Sequence, residues 1–324
     1  MKSVVAVLVG ASMLFGAAGA ALASDNYPEK GRTLQLVTPF PPGGATDLLA
    51  RVLAQKFSEA WGIPAIVDNK AGGDMLIGSQ AIANAKRDGY TLGFTTSGFV
   101  LNGIARAQRV DPLTDFVPIG LVGRSAQVVA VNASAPYSTY KELEAASSAQ
   151  PEKFSYASCC PGMHFAAEML KSATNLRALH VPYKGSTPAV NAILGGETTF
   201  IIDTQTAVKP FVESGKLRAL MVTSRQRAST MPDVPSLNEA GVPGQFETEV
   251  WWGLVFPAGV SPAIVAKAND TLNRILQSPE IRKRMAEMSI EPTASTPSEM
   301  ARLMRTDFDR YSKLAKDANL SFGN

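Results

Sequence analysis

The chain is poor in cysteine: two in 324 residues, and they are neighbours, Cys159 and Cys160. That leaves no CxxC pair and no thiol spacing that suits zinc, so neither a metal nor any other cofactor is expected. Dense basic runs are missing, few aromatics stand near basic residues, and the formal charge is only +3, which argues against a nucleic-acid partner. Beyond the N-terminus no segment is long and apolar enough to span a bilayer. There is no low-complexity tract, no short internal repeat and no Gly-Lys-Ser/Thr ending of a P-loop.

What the chain does have begins at its N-terminus. Lys2 supplies a positive start, Val4 to Leu14 an apolar core, and Ala21-Leu22-Ala23 a small-x-small cleavage pattern. Residues 1–23 therefore read as a signal peptide cleaved near Ala23, with a periplasmic destination. No cysteine follows to carry a lipid. The remaining 301 residues, at charge +2 once Lys2 is lost, suit two domains.

Strand and helix signals alternate. Leu34–Val37 predicts a strand, and Leu48, Leu49, Val52, Leu53 and Phe57 a helix from Asp47. Ala65–Asp68 and Tyr90–Phe94 predict further strands around a helix through Ile82. The middle repeats this pattern: strands at Val128–Val131, Phe154–Ala157, Ala178–Val181, Thr199–Ile202 and Leu217–Thr223, and helices from Ser138 and from His164. From Ala263 to Ala318 the pattern is mostly helical, with a break near Ser289 to Pro297. Strands alternating with helices imply an α/β fold built of parallel βαβ units.

Several loops carry candidate chemistry, each with two readings. Pro39 to Asp47 joins a strand end to a helix start. It either offers backbone N–H groups at Gly43, Gly44, Ala45 and Thr46 to an anion, or is an ordinary loop capped by Thr46 or Asp47. Gly72 to Gly78 reads mainly as a turn with close helix packing at Gly78. Thr96 and Ser97 follow the third strand, where ligands sit in open α/β sheets, or else cap a helix. Ser158-Cys159-Cys160-Pro161-Gly162-Met163-His164 is open to three readings: a Cys–His nucleophile pair, a vicinal disulfide in an oxidising compartment, or two reduced thiols lining a loop. Tyr183 and Lys184 pair an aromatic with a cation, for an apolar ligand body and its carboxylate, or for solvent. Asp203 either faces a cleft or caps the next helix. Trp251 and Trp252 wall a cleft or pack a core.

Taken together, these segments resemble the Bug family, the substrate-binding proteins of tripartite tricarboxylate transporters. The similarity rests on Phe40-Pro41-Pro42-Gly43-Gly44-Ala45-Thr46-Asp47, Val67-Asp68-Asn69-Lys70, Asp88-Gly89-Tyr90-Thr91-Leu92 and His180-Val181-Pro182-Tyr183-Lys184-Gly185. It continues through Gly215-Lys216-Leu217-Arg218-Ala219-Leu220, Pro232-Asp233-Val234-Pro235 and Trp252-Gly253-Leu254. The resemblance implies a type II periplasmic-binding fold: two α/β lobes joined by two crossover strands, with a ligand cleft between them. Lobe 1 is expected over 32–127 and 252–324, lobe 2 over 128–251.

It further implies a non-enzymatic, monomeric receptor that hands a small carboxylate to the membrane subunits of a transporter. The loop at Phe40, Gly43, Gly44, Ala45 and Thr46, organised by Asp47, would hold the carboxylate through backbone amides. Thr96, Ser97, Ser158, Gly162, His164, Tyr183, Lys184 and Asp203 complete the expected set. An exported cysteine hydrolase and a periplasmic sensor are the competing classes. The chain departs from the family pattern in two places. Asn69-Lys70 continues with Ala71-Gly72-Gly73 where Pro-Gly-Ala-Gly-Gly is usual. Tyr156-Ala157-Ser158-Cys159-Cys160 replaces the usual serine- and glycine-rich second-lobe loop, about two residues longer.

Overall fold

The computed structural model describes residues 26–73, 75–105, 110–183, 185–243 and 246–317. The expected signal peptide lies outside them. The first run of elements is β1 (Leu34–Thr38), α1 (Ala45–Trp61), β2 (Ala65–Asn69), α2 (Leu76–Ala83), β3 (Thr91–Thr96) and α3 (Ser97–Ala105). The second is β4 (Phe116–Asn132), α4 (Tyr140–Ala149), β5 (Ser155–Ser158), α5 (Pro161–Ala173), β6 (Leu179–Pro182), α6 (Ser186–Leu194), β7 (Phe200–Thr204), α7 (Gln205–Glu213) and β8 (Leu217–Val222). The chain ends with β9 (Glu249–Pro257), α8 (Pro262–Gln277), α9 (Pro279–Glu287), β10 (Glu291–Pro292) and α10 (Pro297–Asp317).

Two sheets share one long strand. In the first, β1 lies parallel to β2 and β3, with Leu34 opposite Ala65 and Leu36 opposite Leu92. β9 then runs antiparallel between β3 and the first half of β4. The second half of β4 pairs antiparallel with β7 and β8, and β5 lies parallel between β7 and β6. β4 changes sheets between Ala126, opposite Glu249, and Gln127, opposite Thr204. The chain returns where the Thr248 N–H bonds Thr223 O and Glu249 joins β9. This is the two-lobed architecture that the alternating pattern and the family resemblance implied.

Each lobe has an apolar core of its own, and a further buried cluster, with Phe99, Val255 and Tyr311 on one side and Val129, Phe165 and Ile202 on the other, runs through both. Leu49, Leu53 and Phe57 of α1 pack with Leu34, Leu92, Phe94 and Phe256 of the first sheet. In the second, Val128, Ala130 and Ile201 meet Ala189 and Ile193 of α6. A fully buried side chain of this size contributes about 1.5–3 kcal/mol, so these faces fix which side of each sheet its helices cover.

Four differences from the sequence expectation bear on the site. β3 extends to Thr96 and Ser97 opens a helix, so those two residues sit at a strand end rather than in a loop. β4 begins at Phe116, twelve residues before the predicted strand. Its first half carries Pro118, Gly120 and Gly123, and the register shifts at those points hide its period. β9 gave only its tryptophan pair. α5 starts at Pro161, which is suited to the first helical position, and so takes in the segment before His164.

Candidate functional site

A cavity of about 550 Å³ lies between the lobes. It sits beyond the carboxyl ends of β1, β3, β5 and β7, where open α/β sheets place their ligands. Its size falls within the range of small-molecule pockets.

The lobe-one wall begins with the loop after β1. Gly43 has φ +88°, a left-handed conformation that strongly favours glycine. Gly44, at φ −82°, precedes α1 and makes no side-chain cap. An added Cβ at Gly44 would meet nothing within 4 Å, so its smallness leaves open space beside the first turn of the helix. The loop is held by Asp47, which is almost fully buried. Its Oδ2 accepts from the Gly43 N–H at 2.9 Å and from Arg51 Nε at 3.0 Å, and its Oδ1 from Asn69 Nδ2 at 2.9 Å. Burial works to raise this carboxyl, but bonds from Arg51, Gly43 and Asn69 outweigh it and hold the group below its ordinary value.

Asp47 is thus turned back onto the loop. Thr46 does not cap the helix either: its Oγ1 accepts from Trp252 Nε1 at 3.0 Å, tying the loop to β9. α1 therefore opens without a side-chain cap, and its first-turn N–H groups are not satisfied within the helix. The expected close packing at Gly78 is present, since a Cβ there would stand 2.6 Å from Pro39.

The second-lobe wall comes from the segment between β5 and α5 and from the end of β7. The Cys159 and Cys160 thiols are separate, with sulfurs 3.3 Å apart. The hydrogen bond between the thiols, then burial, pushes Cys159 well up, and the same bond lowers Cys160, so of the two only Cys160 is favoured as a thiolate. Neither histidine bonds a thiol among the described residues. His180 Nε2 lies 2.7 Å from Ser158 Oγ, while His164 stacks on His180 with centroids 3.7 Å apart and stands 3.8 Å from Glu168. A Cys–His nucleophile pair is not assembled here.

Of the sequence-predicted residues, Phe40, Thr46, Thr96, Ser97, Gly162 and Asp203 all line the cavity. Gly43, Gly44, Ala45 and Asp47 are not in the lining; they form the loop and helix start next to Thr46. Ser158 and His164 do not line it, because they are turned into the stack beneath the loop. Tyr183 is turned outward, its hydroxyl donating to Glu197 at 3.2 Å. Lys184 lies outside the described residues. Sequence reading missed Gln127, Thr248, Ser186, Met75, Phe165 and Tyr311. The Thr248 hydroxyl donates to Gln127 Oε1 at 2.7 Å, at the crossing between lobes. Phe165 of α5 meets Tyr311 of α10 edge-on at 5.0 Å, bringing the two lobes together at one side of the cavity. No local signal marked these residues, whose partners are far away in sequence. Trp252, read as core or cleft wall, is both: it is buried and lines the cavity.

A two-lobed fold with a cavity between the lobes, bordered by the strand-to-helix loop through Pro39, Phe40, Pro41 and Thr46, defines a solute-binding protein of the periplasmic type. The sequence family described as tripartite tricarboxylate transporter family receptor (TctC) matches residues 49–320, and the chain belongs to this family. BugT of Bordetella pertussis is 32% identical over 315 residues, covering 96% of each chain. A solved structure of R. palustris Rpa4515 with adipate is 32% identical with TM-score 0.79, covering 90% of this chain and 98% of that one. The periplasmic binding protein BugD is 31% identical with TM-score 0.76, covering 90% of this chain and 99% of that one.

Proposed function

We propose that this protein is a non-enzymatic, monomeric periplasmic receptor that captures a small carboxylate in the cleft and delivers it to the membrane subunits of a tripartite tricarboxylate-type transporter. The observation that carries the reading is the uncapped start of α1 behind the Gly43-Gly44 loop. It offers backbone N–H groups and a partial positive charge to an anion without a cationic side chain. Adipate bound in Rpa4515, a relative of similar fold, supports a carboxylate ligand. The absence of a Cys–His pair among the described residues opposes the hydrolase alternative.

In this reading the carboxylate docks on the amides of Gly44, Ala45 and Thr46, with the Gly43 N–H held by Asp47 to shape the turn, and the Thr96 and Ser97 hydroxyls contact the rest of the ligand. Gly162 and Asp203 face it from the other lobe. Lobe 1 comprises 32–127 and 252–324, and lobe 2 comprises 128–251. The exchange of strand partners at Ala126/Gln127 and at Thr248/Glu249 supports these limits to within a few residues. Lobe closure buries the ligand and creates the surface read by the transporter. Export rests on the signal-like residues 1–23 and on the periplasmic relatives.

Calorimetric titration of ligand-stripped protein against a panel of carboxylic acids tests the assignment. Micromolar or tighter binding of at least one acid is expected; a well-folded protein that binds none refutes it. Gly44→Val narrows the test to the loop. The backbone at Gly44 accepts a side chain and has room for it, so folding is retained. Affinity should fall more than about tenfold, equivalent to roughly 1.4 kcal/mol, because the valine blocks approach to the amides.

A further inference from the structure

The side chains around the cavity are unevenly charged. Among the described residues its lining holds no lysine, arginine or histidine, but it holds two carboxyl groups, Asp203 and Glu249. Glu249 is matched by Arg124, 3.4 Å away. Asp203 is fully buried and has no cation bonded to it among the described residues. Its Oδ1 accepts from the Thr204 N–H at 2.7 Å and from the Ser186 hydroxyl at 3.1 Å. Its Oδ2 is buried and without a hydrogen-bond partner. Burial pushes this carboxyl up, against the opposing pull of the Thr204 amide, the Ser186 hydroxyl and the nearby Cys159 thiol.

A buried polar oxygen left without a partner is rare in folded proteins. Of the buried side-chain atoms left without a partner among the described residues, Asp203 Oδ2 is the one that belongs to a residue lining the cavity. Here the residue borders a cavity, so the missing partner is one that an occupant can bring. Its lobe-one wall includes Thr46, in the first turn of α1. Much of the remaining lining is apolar: Phe40, Leu101, Met163, Phe165 and Val250.

We propose that Asp203 makes the second-lobe end of the cavity a subsite for an uncharged hydroxyl or amine group, so that the ligand is a monocarboxylate with an apolar body and a distal hydrogen-bond donor, rather than a di- or tricarboxylate. This rests on the receptor reading above and sharpens it. A hydroxyl suits Asp203 in either protonation state, since it can donate to Oδ2 or accept from it. A second ligand carboxylate is an acceptor only. Placed against Oδ2 it forces two carboxyl groups to share a proton, the like-charge situation that disfavours ionisation of both. With no cation in the described lining to offset the second charge, a dianion is disfavoured as a whole.

Matched acids of equal length test the subsite by calorimetry on the full exported chain: ω-hydroxyhexanoate against adipate, and 4-(hydroxymethyl)benzoate against terephthalate. In each pair that binds, the hydroxy acid is expected to bind at least about tenfold more tightly. Asp203→Asn supplies an N–H donor at the same place and should abolish or invert that preference. A dicarboxylate that matches or exceeds its hydroxy partner on the wild-type protein overturns the proposal while leaving the receptor reading intact, and this arm does not depend on the variant folding. A preference that survives unchanged in a folded Asp203→Asn protein also overturns it. Failure of every acid removes the receptor reading and the subsite together.

Discussion

Asp47 shows how one side chain sets up a site it does not enter. Its carboxylate gathers a backbone amide, a guanidinium and a side-chain amide, and so fixes the turn that presents the start of α1. Asp47→Ala strands these donors and should cost about 1–3 kcal/mol of stability at neutral pH, read by urea unfolding. The sign with pH follows from its depressed folded value. The contribution is present above the unfolded carboxylate value, about 3.9, and is lost as pH falls through the lower folded value. The gap between wild type and Asp47→Ala should therefore close in strong acid. At this scale the sequence is informative where chemistry is local. Proline and glycine mark the loop at Pro39–Gly44, and Asp47 falls at a recognisable helix start. It is uninformative where the partner is remote. Nothing around Thr46 indicates that Trp252 will bond it, and nothing around Ser158 indicates that a histidine on the neighbouring strand will turn it from the cavity.

Among the elements, α5 and β6 each carry one of the only two histidines of the chain, His164 and His180, stacked together. Burial first, then neighbouring His164, lowers His180 to about 4. Glu168, bonded by Tyr156 and Lys171, partly offsets this, and Lys171 reinforces it. The folded state thus keeps His180 neutral where the unfolded chain, at about 6.5, takes up a proton. Stability should fall as pH drops from about 6.5 towards the folded value, then level off with respect to this group. His180→Gln removes the titration. Its melting temperature should vary less than that of the wild type across this window; an identical pH dependence in the two proteins would count against the argument. Short parallel strands such as β1 and β2 were legible because they are apolar and bounded by turns. β4 was legible only in its second half, where Val128–Val131 is an unbroken apolar run. Its first half and β9 adapt to each other through bulges, a fit that is settled only when the strands meet.

For the molecule as a whole, the family pattern made the two-lobed plan legible, and the cavity follows from bringing the lobes together. The second-lobe wall was read least well because Cys159-Cys160 departs from the pattern of the relatives. The edge-on contact of Phe165 with Tyr311 couples the lobes at one side of the cavity. Such pairs are worth about 0.5–1.5 kcal/mol. Tyr311→Ala should therefore weaken ligand binding by up to about tenfold with little change at the carboxylate loop, and small-angle scattering should record a more open apo protein. One further consequence follows from the absence of cationic side chains in the described lining. A receptor that holds its anion with enclosed peptide dipoles responds little to the ionic medium, because buried interactions are screened far less than exposed ones. Between about 0.01 and 0.15 M salt the Debye length shrinks from roughly 30 to 8 Å, yet the dissociation constant should change by less than about threefold. A periplasm that follows the salinity of its surroundings would leave such a receptor's affinity largely undisturbed.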